Sequence, residues 1–460
     1  MIKIFSHWIP STSVFQIILD LLLPTACVAL AVYWMGHDGQ AHFVAVVNYA
    51  FVFAFTMILL NSWLGLYRRS HVRSVQQTRT RALLSLFLSV PLALGIFTLR
   101  SDADIHQQLL LLAGIAALLG TATLRVFMIY SRSGAMTSHR MLIFGAGKEA
   151  DMVAAVLKKS DPDIQIVGFY PSPTDTQITV LPKFVLPRSQ SLSDTAKSAN
   201  VDEIVIAVQE RRGGILPLRE LLDCKLSGVN VLDPASYFER TLGQIRLDSL
   251  RAGWLIFGEG FRQGWRRTVV KRLFDLVAAI ILILLALPVM VITALAIALE
   301  NGFPIFYRQE RVGLNGRLYN VVKFRSMRID AEEDGKPRWA TANDDRTTRV
   351  GRIIRKLRID ELPQLFSVLA GEMSLVGPRP ERPYFVDQLT RGIPFYAVRH
   401  SVKPGVTGWA QVNYHYGASV DDSIQKLQYD LYYVKNHTLF LDIVILFETV
   451  GVVLSCRGAH

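Results

Sequence analysis

Four apolar stretches fill the first third of this 460-residue chain, at residues 14–35, 43–66, 82–99 and 109–130. Each is long enough to cross about 30 Å of hydrocarbon as a helix, where every backbone N–H and C=O must be satisfied within the protein. The connection after the second stretch holds Arg68, Arg69, Arg73, Arg79 and Arg81 and no acid, whereas the other two turns hold Asp38, Asp102 and Asp104. Excess cation marks the cytoplasmic side, so the N-terminus and everything after residue 130 start inside. No short signal-peptide pattern with a small-residue cleavage site is evident, and the first stretch reads as a retained anchor. The expectation is a four-span transmembrane domain over 1–138.

A fifth apolar run, 276–299, carries cations on both sides: Arg266, Arg267, Lys271 and Arg272 before it, and Arg308, Arg311, Arg317 and Lys323 after it. Both flanks ask to be inside. Pro288 lies mid-run, where it removes a helix hydrogen bond and bends the axis. A re-entrant helix-break-helix over 273–299, dipping into one leaflet and returning, satisfies both flanks; an ordinary fifth span with an external C-terminal domain satisfies one. The formal net charge of +12 beside so much apolar sequence favours anionic lipid and phosphorylated substrates over nucleic acid. Cys27, Cys224 and Cys456 are too far apart in sequence to suggest a metal-ligand spacing or a disulfide framework, which suits a reducing compartment.

From residue 139 to 232 short β-rich runs (141–144, 165–169, 203–208, 229–232) alternate with helical stretches such as 150–159, the pattern of a parallel α/β sheet. The first strand runs into Gly145, Gly147 and Ala150, a GxGxxA turn like the one that lets a helix N-terminus approach phosphate. No ribose-binding acid follows at the usual distance, since Asp163 and Asp175 lie in turn-like contexts, so the turn reads as structural or regulatory rather than as a redox cofactor site. A Rossmann-like domain is expected over 139–262. Tyr319 and Lys323 match the YxxxK spacing of some sugar-nucleotide oxidoreductases, but in a strand-like run far from the glycine turn, and the match reads as coincidence.

The last third is an α/β-mixed domain, 263–460. Between Arg349 and Leu357 a helical step places Val350, Ile353, Ile354 and Leu357 on one face and Arg349, Arg352, Arg355 and Lys356 on the other, suited to an interface or a core with the cations facing phosphate. Asp360 and Glu361 follow. Pro363 then marks the first turn of a helix that Gly371 closes, which puts the acid pair at a helix N-terminus, where the dipole stabilises anions. One carboxylate of such a pair can attack phosphorus while the other holds a divalent cation, with arginines clamping the same oxygens. For an isolated acid pair the plainer account is an N-cap with surface ion pairs.

The surrounding motifs decide between them. KRLFDL at 271–276, FYRQERVGLNGRLYNVVKFRSM at 306–327, RKLRIDELPQL at 355–365, GEMSLVGPRPE at 371–381 and KPGVTGWAQVN at 403–413 resemble, in order, the bacterial polyprenyl-phosphate phosphoglycosyl transferases of the monotopic type. The four spans and α/β domain in front are similar to the long members that start exopolysaccharide, capsule or O-antigen synthesis. The resemblance implies that Asp360 attacks the β-phosphorus of a UDP-sugar, releases UMP and carries a phosphosugar that a polyprenyl (undecaprenyl) phosphate then takes. It implies Mg²⁺ at Glu361, phosphate contacts from Arg355 and Arg379, and Lys323 and Arg325 lining the same basic pocket. Where the family often has Ser-Pro at the helix break, this chain has Leu287 before Pro288. The partners implied are UDP-sugar, polyprenyl phosphate and the lipid bilayer of the bacterial inner membrane, with the catalytic domain on the cytoplasmic face and a homodimer among the assemblies to consider. UDP-glucose or UDP-galactose is the expected donor by analogy. A membrane-anchored NAD-dependent sugar-nucleotide dehydratase shares the front end but needs a second glycine-rich site after residue 276, which is lacking. A nucleotide-sensing scaffold without chemistry is the third class, and UMP release would dispose of it. Acid-rich 330–334 reads as a solvated loop, His400, His415 and His437 form no ligand set, Trp409 suits packing or sugar contact, and the run 439–454 reads as an interfacial helix.

Overall fold

The computed structural model describes residues 2–35, 43–67, 75–98, 107–131, 139–160, 164–173, 175, 177–188, 190–208, 216–248, 250, 260–261, 264–328, 346–414, 417 and 419–454. Arg68, Arg69, Arg73, Asp38, Asp102, Asp104, Asp163, His415, Cys456 and the loop 330–334 lie outside them. The chain forms two compact units, one from Ile9 to Leu242, the other joining Ile2–Trp8 to Gly243–His460. Ile245 is fully buried in the second unit, and its N–H donates to Gln428 O at 3.0 Å.

In the first unit the four apolar stretches are the helices Ser11–Trp34, Phe43–Trp63, Val75–Thr98 and Gln107–Ser131. The first packs against the second and fourth, and the third against the same two. Their shared core is small and apolar (Val46, Ala50, Ala113, Ala117), while Phe15, Leu30, Phe51, Phe87 and Phe127 face outward, as a lipid-embedded bundle requires. One polar node crosses all four helices. Asp20 Oδ1 takes Arg125 Nη2 at 2.7 Å, Asp20 Oδ2 takes Asn61 Nδ2 at 3.0 Å and the Tyr67 hydroxyl, and Ser85 Oγ donates to Asn61 Oδ1 at 2.6 Å. Asp20, Asn61, Ser85 and Arg125 are at most 1% exposed. Each charge is stranded without the other in a medium that cannot solvate it.

The rest of this unit is a four-stranded parallel sheet in the order Ile164–Tyr170, His139–Phe144, Glu203–Ile206, Asn230–Leu232. Separate apolar clusters lie on its two faces: Lys148–Ser160 and Pro234–Leu242 cover one, Leu192–Ser198 and Leu218–Leu226 the other. All four expected strands are present.

The second unit is built along one helix, Trp265–Asn301, of 37 residues, with Pro288 inside it. The expected break is not an end of helix: the proline lies on an exposed stretch, and the helical segment continues past it. Both ends of this helix are fastened to the same folded unit. Near its start Lys271 Nζ meets Asp442 Oδ2 at 2.6 Å, Arg272 donates to Val368 O and Leu369 O at 2.6 and 2.8 Å, and Asp275 Oδ1 accepts Leu375 N at 3.2 Å. At its end Glu300 accepts the N–H groups of Arg349 and Val350 at 2.8 and 3.0 Å, capping the helix Arg349–Lys356. Ala279, Met290 and Ile297 are buried, and Ile281, Leu284, Leu285, Ile292 and Leu295 are half or more exposed.

An antiparallel hairpin, Phe306–Val312 with Leu318–Phe324, follows. Further on, Ser374–Val376 and Gly405–Thr407 pair in parallel. Gly377 and Gly405 admit no side chain here, since a Cβ on either would lie 2.3 or 2.1 Å from backbone. Helices Val420–Asn436 and Leu439–Leu454 close the core. The latter buries Leu441, Asp442 and Ile445 and exposes Ile443, Phe447 and Val450, so only its outer face is open to an interface. In Arg349–Lys356 the apolar face is likewise divided. Ile354 is buried at 4% exposure and Val350 packs beside it, but Ile353 is 60% and Leu357 44% exposed.

The node makes a stability prediction. Asp20→Ala or Arg125→Ala leaves one buried charge unpaired and should cost about 3–5 kcal/mol, whereas the apolar double replacement Asp20→Leu with Arg125→Met should cost less than either. Thermal unfolding of the detergent-solubilised protein checks this, and single variants melting like wild type would contradict it.

Candidate active site

Arg358 leaves the basic helix with a left-handed backbone, φ 55 and ψ 22, and turns the chain into a single 3-10 turn, Ile359–Glu361. The next helix, Gln364–Ala370, is entered at Pro363 and ends at left-handed Gly371 as expected. The acid pair therefore stands ahead of that helix rather than in its first turn. The Glu361 and Leu362 N–H groups are used within the 3-10 turn, to Arg358 O and Ile359 O, so side-chain cations rather than a helix dipole hold the charge.

Those cations converge on Glu361. Its Oε1 accepts Arg379 Nη2 at 2.6 Å and Lys323 Nζ at 3.2 Å, and its Oε2 lies 3.7 Å from Arg358 Nη1. Asp360, 9% exposed, has no hydrogen-bond or ion-pair partner among the described residues. The two neighbours are thus driven apart. Burial and then the Glu361 charge push the Asp360 carboxyl up to about 6, with Lys323, Arg379 and Arg355 pulling the other way. At Glu361 burial also favours the neutral form, but Arg379, Lys323 and Arg358 outweigh it and hold the carboxyl well below the usual range. One carboxylate is locked as an anion by cations; the other is partly desolvated and, among the described residues, without a partner.

Of the residues expected here, Lys323, Arg379, Asp360 and Glu361 come together, and Arg355 is close enough for its charge to act on Asp360. Arg325 does not join them. Its Nη2 donates to Asn301 O and Gly302 O, both at 2.8 Å, so it caps the C-terminal end of the long helix. Strand Leu318–Phe324 ends before Arg325, which frees it from the alternation that aims Lys323 at the dyad. Tyr319 and Lys323 are about 13 Å apart along that strand, and the Tyr319 hydroxyl is buried without a partner. Trp409 packs: its Nε1 donates to Gly243 O at 2.8 Å and its ring stacks on Tyr432. His400 and His437 are on different elements, and among the described residues no three His, Cys, Asp or Glu are grouped to hold a metal. Glu361, the residue expected to hold Mg²⁺, is an anionic oxygen ligand of the kind that ion takes.

The glycine turn of the α/β sheet is filled by the protein itself. Gly145 has φ +122 and no room for a Cβ, which would meet Ala207 O at 2.4 Å. Asp175 Oδ2 accepts the N–H groups of Ala146 and Ser172 at 2.8 and 2.7 Å, and a Cβ on Gly147 would lie 3.2 Å from Asp175 Oδ1. The protein's own Asp175 carboxylate thus takes up N–H groups of the turn.

Residues 266–456 match the family described as bacterial sugar transferase. The chain is 44% identical over 242 residues to UDP-N-acetylgalactosamine-undecaprenyl-phosphate N-acetylgalactosaminephosphotransferase of Aeromonas hydrophila, covering 53% of this chain and 56% of the relative. It is 31% identical over 360 residues to UDP-glucose:undecaprenyl-phosphate glucose-1-phosphate transferase of Xanthomonas campestris pv. campestris, covering 75% of this chain and 73% of the relative. The chain belongs to this family of bacterial polyprenyl-phosphate phosphoglycosyl transferases. A protein of the same name as the second, from Escherichia coli (strain K12), is 35% identical over 267 residues, 57% of this chain and 56% of the relative. The matched stretch spans little more than half the length of the Aeromonas relative. The comparisons return transferases and give the dehydratase reading no support.

The family motifs also contain site residues that sequence reasoning missed. Arg358, inside RKLRIDE, is the third cation on Glu361; its place two residues before Asp360 was visible, but its left-handed turn was not. If Asp360 acts as an anion, turnover should be flat above about pH 7 and fall about tenfold per unit below about pH 6. The sign follows from the raised value: protonation as pH falls through it removes the nucleophile. Asp360→Asn should abolish turnover with the fold intact, and activity above a few per cent of wild type would place the nucleophile elsewhere.

Proposed function

We propose that the protein transfers a sugar-1-phosphate from a UDP-sugar to polyprenyl phosphate, through a phosphosugar carried on Asp360. The observation that carries this reading is the divided dyad, one carboxylate unpartnered and the next gripped by Arg379, Lys323 and Arg358. Asp360 Oδ attacks the β-phosphorus, and the bond from that phosphorus to the bridging oxygen breaks. UMP leaves with the oxygen and its electron pair. A phosphate oxygen of the lipid then attacks the same phosphorus and releases the carboxylate, giving polyprenyl-diphospho-sugar. Lys323, Arg379 and Arg355 offset the charge of the donor's phosphates beside the dyad. A Mg²⁺ held at Glu361 would supply further neutralisation of the same phosphates.

The membrane disposition supports the same reading. A helix that crossed the bilayer would need about 20 residues in hydrocarbon and its far end on the other side. The contacts at Lys271–Asp275 and at Glu300–Asn301 tie both ends of the long helix to one folded unit. A re-entrant course with that unit on the cytoplasmic face meets this constraint, and the exposed Ile353, Leu357 and outer face of the long helix then rest in lipid. The donor sugar is open among the hexoses and N-acetylhexosamines in the names of the relatives.

Two experiments test this. UMP release should appear with at least one of UDP-glucose, UDP-galactose and UDP-N-acetylgalactosamine in the presence of polyprenyl phosphate, and Glu361→Gln should make residual release depend more steeply on Mg²⁺. A cysteine at Gly316, in a background lacking Cys27, Cys224 and Cys456, should resist impermeant thiol reagents in intact cells and react after permeabilisation. Labelling from outside in an active protein would end the re-entrant reading.

A further inference from the structure

Arg379 stands in the sequence GPRPE, between Pro378 and Pro380. Neither proline has a backbone N–H, so this loop is held chiefly through its carbonyls. Four consecutive carbonyls each accept from a different donor outside the loop. Pro378 O takes Gly405 N at 3.0 Å, Arg379 O takes Arg399 Nη2 at 2.9 Å, Pro380 O takes Arg311 Nη1 at 3.1 Å, and Glu381 O takes Val312 N at 3.0 Å. Two of the four donors are guanidinium groups.

Arg399 is itself fixed on every side. Its Nε and Nη2 reach Asp430 Oδ2 at 3.1 and 2.8 Å, and its Nη1 donates to Tyr396 OH at 2.8 Å. Arg399 is 5% and Asp430 2% exposed. A buried ion pair seldom stabilises a core more than apolar residues of the same volume would. What this pair supplies that an apolar pair cannot is a rigid N–H aimed at one chosen carbonyl.

We propose that Arg399, with Arg311, is a positioning residue of the reaction: the two arginines fix the backbone from which Arg379 reaches Glu361 Oε1. The inference rests on the transferase reading above. Neither arginine touches the dyad; both act through consecutive carbonyls, those of Arg379 and Pro380. Without this hold the Arg379 side chain swings from a loop that is free to shift, and Glu361 keeps only Lys323 and Arg358. The groups facing the dyad are Lys323 from the hairpin, Arg355 and Arg358 from the basic segment, and Arg379 from the loop.

The test is Arg399→Lys in the full-length protein, because an ammonium keeps the charge against Asp430 but cannot serve Asp430, Tyr396 and Arg379 O together. The variant should melt close to wild type. Its kcat should fall about tenfold or more with the UDP-sugar KM within about threefold. In an Arg379→Lys background the same substitution should have little further effect, since the two act as one unit. Arg311→Lys should move the same readouts in the same direction, and it carries the test if Arg399→Lys does not fold. An unchanged kcat, or losses that multiply in full in the double variant, would overturn the proposal. Absence of UMP release by wild type across the donor panel would instead refute the transferase reading. In that event the guanidinium ¹⁵N signals of arginine-labelled protein still decide the positioning role, and an Arg379 signal unmoved by Arg399→Lys and Arg311→Lys would overturn it.

Discussion

Two carboxylates on consecutive residues cannot both be buried and both be anionic unless positive charge is brought to one of them. In this protein the contact between Arg379 and Glu361, reinforced by Lys323 and Arg358, performs that separation. It leaves Asp360 without a partner among the described residues and its carboxyl raised to about 6, still largely ionised at neutral pH and less solvated than an exposed carboxylate. The consequences spread outward. The basic helix, the left-handed turn at Arg358, the hairpin that delivers Lys323 and the proline-bounded loop that delivers Arg379 all end at one acid.

The membrane part obeys the same electrostatic logic in a harsher medium. Asp20 and Arg125 are placed where neither can be solvated, and each is tolerated because the other is there, with Asn61, Ser85 and Tyr67 completing the node. In the catalytic unit the long helix carries its polar contacts at both ends and its exposed apolar surface between them. A proline within such a helix can bend it without ending it, because only one hydrogen bond is lost. The chemistry and the lipid acceptor are thereby brought to one surface under the proposed reaction.

Much of this was legible in the residues. Hydropathy located the four helices, alternation located the parallel strands, and the left-handed Gly371 closes the helix after the acid pair as its position suggested. The acid pair and three of its cations were visible because they lie in contiguous motifs. What was illegible depended on three-dimensional reach. Arg325 follows the end of its strand, so its direction was set by the carbonyls of Asn301 and Gly302 rather than by alternation. Arg399 and Asp430 are separated from the loop they serve and from each other in sequence, and nothing local marks them as partners. Ile353 and Leu357 share a helical face with Ile354, yet the core has room for only part of that face. Asp20 and Arg125 were detectable as isolated charges within apolar runs, a signal that periodicity arguments pass over.

The account stands or falls on Asp360 as the atom that carries the phosphosugar. The most direct measurement is to incubate the purified protein with donor UDP-sugar in the absence of any lipid acceptor, quench in acid, and map the proteolytic fragments by mass spectrometry. The predicted result is a burst of UMP no larger than the enzyme present, together with a hexose phosphate or N-acetylhexosamine phosphate on the fragment that contains Asp360. UMP release that occurs only when both substrates are present, or a phosphosugar attached to any other residue, would contradict it.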